Sequence, residues 1–190
     1  IGTPICSLSF DEQINLIVNW AKNCQSKMVC VANVHMLIEA RQNSDFADVL
    51  RHADLVTPDG MPLVWMLKLM GAKRVQRVAG MDIFLATCQQ AAQAQISIFL
   101  LGSTPDILDR IHQRLQTEFP LLKIAGMNSP SFSPVAATVD TNVTQIINSS
   151  GAGIVFVALG CPKQELWMAR HREQIQAVMI GVGAVFPVYA

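Results

Sequence analysis

The chain opens with a polar-apolar rhythm of helical period and then settles into short apolar runs that alternate with helical stretches. Ser9-Phe10-Asp11-Glu12 has the form of a capping box. Ile14, Ile17, Val18 and Ala21 follow at helical spacing, which predicts a helix to about Asn23. Met28 to Ala32 is a continuous apolar run, the signature of a strand buried on both faces. A helical stretch from about His35 to His52 is broken near Asn43-Ser44, and Leu55 to Thr57 reads as a second short strand ending at Pro58-Asp59-Gly60. Met61 to Met70 is helical and apolar nearly all round, which predicts a buried helix.

Beyond a helix at Asp82–Gln93 the alternation is regular. Strands are predicted at Ile96–Leu101, Lys123–Met127, Ile154–Leu159 and Val178–Val182. Helices are predicted between them at Pro105–Phe119, Ser133–Asn148 and Lys163–Gln174. Strands separated by helices of this length imply right-handed crossovers. The fold class is therefore α/β: a Rossmann-like open, mostly parallel sheet with helices on both faces, in one core domain over residues 1–190. The loop-like cluster Asn128 to Pro134 is expected to cap a strand end rather than separate domains. The stretch Ala177 to Ala190 carries Gly181, Gly183 and Pro187, so it reads as a buried strand followed by a loop, not as a membrane span.

Composition narrows the function. Fourteen basic and fourteen acidic side chains balance, which argues against nucleic acid as a partner. Hydrophobic residues make up 51% of the chain, an excess that predicts apolar surface covered by a partner subunit, a further segment or a bilayer. The five cysteines are odd in number and lack a Cys-x-x-Cys pair, so they are expected to be small buried hydrophobes in a reducing compartment.

In a parallel sheet the carboxyl ends of the strands share one rim, where ligands bind. Four strand ends carry unusual residues: Asn33; Pro58-Asp59-Gly60; Gly102-Ser103-Thr104; and Gly160-Cys161-Pro162-Lys163-Gln164-Glu165. Gly102 and Ser103 precede a helix with proline in its first turn, either an ordinary cap or a cradle for phosphate. Gly160 to Lys163 repeats that arrangement with a lysine added, and two such loops on one rim fit a diphosphate nucleotide. Asp59 is either a turn residue or a general base. Arg74 and Arg77 either meet phosphates or lie idle in an exposed loop. No G-x-G-x-x-G, no G-x-x-x-x-G-K-[ST] and no Asp-x-Asp occurs, and the four histidines lack ligand spacing, so neither a cofactor nor a metal is expected.

Several segments have a familiar order: Asn33-Val34-His35-Met36, Ala53 to Met61, Arg77-Val78-Ala79-Gly80-Met81-Asp82, Phe99 to Gly102, Ala158 to Glu165 and Ile180 to Ala184. Together they closely resemble the WecG/TagA/CpsF family of bacterial glycosyltransferases, from about Gly2 to Ala190. The resemblance implies an inverting, metal-independent transferase of cell-surface polysaccharide assembly. Its best-known members move N-acetylmannosamine from a UDP-sugar to polyprenyl-diphosphate-linked N-acetylglucosamine. On this resemblance Asp59 is the base acting on the acceptor hydroxyl. Asn33 and Gln164 are pocket residues, and Arg77 is the motif arginine beside them. With Gly102, Ser103, Gly160, Lys163 and Glu165 these make up the expected substrate-binding set. A threonine found in some members two positions before the asparagine is Val31 here.

The resemblance further implies a homo-oligomer, cytoplasmic and peripheral to the inner face of the plasma membrane. Family members continue into a basic, aromatic C-terminal appendage that helps dock them on the membrane. This sequence ends at Ala190 without it, so weak transfer by this chain alone is expected. A non-catalytic UDP-sugar-binding module and another nucleotide-dependent α/β enzyme are the competing readings. Preference for UDP over NAD or ATP, and sensitivity to Asp59→Asn, separate the three.

Overall fold

A computed structural model describes residues 2–130 and 141–190. Its centre is a six-stranded sheet in the order β2-β1-β6-β5-β3-β4, with every neighbouring pair parallel. The strands are β1 (Lys27–Ala32), β2 (Leu55–Pro58), β3 (Ile98–Gly102), β4 (Ile124–Asn128), β5 (Ile154–Ala158) and β6 (Val178–Gly181). The helices are α1 (Phe10–Lys22), α2 (Val34–Gln42), α3 (Ser44–Arg51), α4 (Met61–Leu69), α5 (Gly80–Gln93), α6 (Pro105–Glu118), α7 (Thr141–Ser150), α8 (Lys163–His171) and α9 (Val185–Tyr189). This is the open, parallel α/β architecture that the sequence predicts.

Successive strand residues point to opposite faces, and the apolar runs feed two cores. Val29, Ile98, Leu100, Phe156 and Ile180 pack with α1, α5, α6 and α9. Met28, Cys30, Phe99, Leu101 and Val157 pack with α2, α3, α7 and α8. Handedness sets this division. Crossovers toward the β2 edge (β1 to β2, β4 to β5, β5 to β6) run over one face, and those toward the β4 edge (β2 to β3, β3 to β4) run over the other.

The ends of α1 follow from local chemistry. The Ser9 side chain accepts from the Glu12 N–H while Glu12 Oε2 accepts from the Ser9 N–H at 2.8 Å, completing the predicted capping box. The break between α2 and α3 falls at Asn43, whose side chain accepts from the Phe46 N–H and starts the second helix.

Three expectations change. First, α4 is not buried: only Leu63 and Val64 are, while Trp65, Met66, Leu69 and Met70 face outward. A uniformly apolar helix carries no stripe to show which side faces the core, and here the side facing outward is apolar as well. Second, the segment after β6 is not a loop but the short helix α9, which buries Val185, Phe186 and Tyr189. Tyr189 Oη donates to Glu118 Oε2 at 2.8 Å and Arg114 lies over its ring, so α9 is anchored on α6. Third, the five cysteines are free, but only Cys30 and Cys88 are buried and Cys24 is exposed. The first residues of the helix predicted at Ser133–Asn148, and most of the Asn128–Pro134 cluster, lie outside the described residues. The remainder is α7.

One buried charge ties the opening of β1 to α8. The Asp54 carboxylate accepts from Lys27 Nζ at 3.0 Å, from the Met28 N–H at 2.9 Å and from Arg172 Nη2 at 2.7 Å. Each ion taken from water is thereby matched by a partner.

Candidate functional site

Because every strand runs the same way, the four strand ends singled out from sequence share one rim. A cleft of about 480 Å³ opens there, beyond β1, β2, β5 and β6. Asn33, Asp59, Arg77, Gly160 and Gln164 all line it, joined by the glycine-bearing turn after β6.

Asp59 is held by backbone on both sides. Its N–H donates to the Ala32 carbonyl at 2.7 Å, and the Val78 N–H donates to the Pro58 carbonyl at 2.9 Å, clamping the end of β2 between β1 and the segment that leads into α5. The Asp59 carboxylate accepts from the Gly80 N–H. That donor is one of the free N–H groups at the start of α5, a helix whose cap residue Ala79 offers no side chain for the purpose. Arg77 Nε stands 3.7 Å from Asp59 Oδ1. Burial pushes the Asp59 carboxyl above the usual carboxylate range, against the opposing pull of the Gly80 N–H and Arg77. A carboxylate with raised proton affinity, open to a cleft and facing a cation, is equipped to accept a proton from a bound hydroxyl.

Gln164 forms part of the floor. Its side chain is 4% exposed and lies against two glycines. A Cβ on Gly181 would come within 3.0 Å of Gln164 Nε2, so glycine there leaves the amide its place. Gln164 Nε2 donates to Glu165 Oε1 at 2.7 Å, and Gln164 Oε1 has no hydrogen-bond partner among the described residues. A buried acceptor beside a cleft is ready for a ligand donor. Glu165 itself is fully buried beneath the floor, and burial pushes its carboxyl up to about 7 despite hydrogen bonds from Gln164 and Cys161.

Asn33 has a double role. Its Oδ1 accepts from the Met36 N–H at 3.0 Å and caps α2, which leaves its amide N–H₂ for the cleft. Val31, at the end of β1, presents a methyl surface where a hydroxyl was expected in some relatives.

Four predicted residues do not line the cleft. Gly102 sits where β3 passes β5: a Cβ there would lie 2.4 Å from the Ala158 carbonyl oxygen, and its φ is +113°. Close packing therefore accounts for this glycine. Ser103 follows it, its carbonyl accepting from Ser129 Oγ at 2.7 Å. Lys163 is exposed at the start of α8, and Glu165 lies below the floor. Conversely Gly80, His35 and Gly183 belong to the site without having been singled out. All three stand inside the quoted motifs, but what marks Gly80 is a backbone N–H, which no side-chain pattern reports. Among the described residues, no three His, Cys, Asp or Glu side chains cluster to hold a metal ion.

Asp59 and Arg77, 3.7 Å apart, line a cleft at the carboxyl ends of parallel strands, where open α/β sheets bind their ligands. The chain belongs to the glycosyl transferase WecG/TagA/CpsF family, whose sequence model matches residues 1–190. It is 32% identical over 194 aligned positions to the N-acetylglucosaminyldiphosphoundecaprenol N-acetyl-beta-D-mannosaminyltransferase of Bacillus spizizenii (strain W23), covering 98% of this chain and 74% of that protein. It is 30% identical to the protein of the same name from Bacillus subtilis (strain 168), covering 86% of this chain and 62% of that one.

Proposed function

We propose that this chain forms the catalytic core of a transferase that moves N-acetylmannosamine from a UDP-sugar to a polyprenyl-diphosphate-linked sugar during cell-surface polysaccharide synthesis. One observation carries the reading: Asp59, Arg77 and Gln164 converge on a single cleft in a chain of this family. The names of the two relatives supply the sugar and the lipid-linked acceptor.

The transfer is a single inverting displacement. An acceptor hydroxyl gives its proton to the Asp59 carboxylate as its oxygen bonds to the anomeric carbon. The bond from that carbon to the diphosphate oxygen breaks, and UDP leaves with the electron pair. Burial of Asp59 favours the proton's arrival. Arg77 supplies positive charge beside the reacting centre, and free N–H groups at helix starts on the rim add to it. Gln164 Oε1 accepts from a donor on the sugar. Metal independence is part of the proposal and is supported by the lack of any Asp-x-Asp pair in the sequence. So is an assembly of several copies at the inner face of the plasma membrane, where a lipid-linked acceptor would be met.

The test is a thermal-shift panel with UDP, UDP-N-acetylmannosamine, UDP-glucose, NAD and ATP, each with and without magnesium, followed by a transfer assay on the lipid-linked acceptor. A ligand at a hundred times its Kd stabilises the fold by about 2.7 kcal/mol. Stabilisation by UDP ligands alone, unaltered by magnesium, together with sugar transfer in the presence of chelator, supports the proposal. Stabilisation by NAD or ATP instead overturns it.

A further inference from the structure

The segment from Met61 to Met81 leaves the cleft just after Asp59 and returns to it at Arg77. Within it α4 turns its apolar side chains outward. Trp65 and Met66 are more than half exposed, Leu69 is 88% exposed and Met70 80%. Side chains of this size in one contiguous stretch form a patch that soluble surfaces ordinarily avoid.

Charge identifies what would cover the patch. In a chain with no net charge, Met61 to Met81 contains Lys68, Lys73, Arg74 and Arg77 and no acidic residue. Lys68, Lys73 and Arg74 are exposed, and no ion pair engages Lys68 or Lys73 among the described residues. Arg74 has Glu12 near it and Arg77 faces Asp59, so Lys68 and Lys73 are the cations left over.

A second protein copy fits this pattern poorly. In a self-complementary contact Lys68 and Lys73 would be brought toward their own copies, with no acidic residue between Met61 and Met81 to pair them. A bilayer surface fits it well. Tryptophan favours the headgroup level, aliphatic side chains enter the acyl boundary, and lysines bury their stems while keeping their charge at the phosphates. No described helix is long and apolar enough to cross a membrane, so the contact is a surface one.

We propose that α4 and the turn after it dock on an anionic lipid bilayer, with Trp65, Met66, Leu69 and Met70 in the headgroup–acyl boundary and Lys68 and Lys73 against lipid phosphates. The surface stands on its own chemistry; its use in catalysis rests on the lipid-linked acceptor proposed above. Docked this way, the cleft mouth beside Asp59 opens close to the membrane plane, where a lipid-anchored diphosphate would present its sugar.

Co-sedimentation with sucrose-loaded vesicles tests the docking without reference to transfer. Vesicles of phosphatidylcholine alone are compared with vesicles containing added phosphatidylglycerol, using the native chain, a Leu69→Glu/Met70→Glu variant and a Lys68→Gln/Lys73→Gln variant. All four positions are exposed, and melting temperature checks that each variant folds. The native chain is expected to pellet with anionic vesicles, and the double glutamate to lower its partition coefficient about tenfold or more. The double glutamine should weaken binding to anionic vesicles only, by a similar factor. Absence of native binding, or equal binding by native chain and double glutamate, overturns the proposal. So does a double glutamate that dissociates an oligomer on size exclusion while pelleting normally. UDP binding is measured on the same samples: its loss would count against the transferase reading and leave the vesicle result to stand alone.

Discussion

Gln164 and Glu165, adjacent in sequence, are bonded side chain to side chain across 2.7 Å, with Gln164 in the cleft floor and Glu165 buried beneath it. The bond uses the Gln164 amide N–H₂ and so leaves its oxygen for the cleft. The carboxylate that fixes this orientation is strongly desolvated and titrates near 7. Because the folded-state value lies above the ordinary 4.5, the fold holds the Glu165 proton more tightly than the unfolded chain does. Its contribution to stability is complete below about pH 4.5 and is lost as pH rises through about 7. Glu165→Gln removes that dependence. Between pH 5 and 8 the native chain should lose up to a few kcal/mol relative to the variant, on the order set by 1.36 kcal/mol per pKa unit. Urea midpoints at the two pH values measure this. Equal slopes for the two proteins would show that Glu165 does not titrate there.

Asp59 and Arg77 predict a second pH effect. The guanidinium, 3.7 Å away, works against the burial that raises the Asp59 carboxyl. Replacing Arg77 with glutamine removes that opposition, so the Asp59 carboxyl should titrate higher still. The acidic limb of kcat/KM against pH then moves to higher pH. A profile that falls in height without moving would assign Arg77 to the ligand alone.

Gly102 gives a prediction about stability. A methyl group there meets the Ala158 carbonyl at 2.4 Å on a backbone with φ of +113°. Gly102→Ala should cost about 2–4 kcal/mol through strain and overpacking, while the affinity of the folded molecules for UDP stays unchanged. Calorimetric melting and equilibrium binding separate the two. A large loss of UDP affinity at unchanged melting temperature would restore Gly102 to the ligand site.

The Asp54 latch sets the fold's sensitivity at the opposite end of β1. Asp54→Ala leaves Lys27, the Met28 N–H and Arg172 without their shared acceptor. Removing one partner of a buried ion pair costs about 3–5 kcal/mol, and exposure of Lys27 and Arg172 places this site at the lower end. Chemical denaturation of the variant reads the loss directly.

The elements were legible because buried parallel strands write continuous apolar runs and their crossover helices write a 3.6 period. Met28–Ala32 and Ile154–Leu159 needed no other information. The exposure of α4 was not legible, since Met61 to Met70 is apolar on every side and gives no clue to which side meets the core. The same limit applied to α9, where Pro187 and two glycines signalled a loop and the contact between Tyr189 and Glu118 decided otherwise. At the site, Asn33, Asp59, Arg77 and Gln164 were readable from motifs and strand ends. Gly102 and Gly160 occupied matching positions in sequence, yet only Gly160 lines the cleft. Distinguishing them required the path of β5 beside β3. Gly80 acts through its backbone, so only the folded chain reveals it.

Asp59 is proposed as the base of a sugar transfer in this cleft. The most direct measurement is a side-by-side comparison of the native chain and Asp59→Asn, with any segment needed for transfer present in both. Each is assayed for UDP-N-acetylmannosamine binding and for transfer to the lipid-linked acceptor. The substitution keeps size and the acceptor oxygen facing Gly80 while removing the basic group. Transfer should fall by about 10²–10⁴-fold, with donor affinity within about twofold of native. Transfer at the native rate by the asparagine variant would rule out Asp59 as the base.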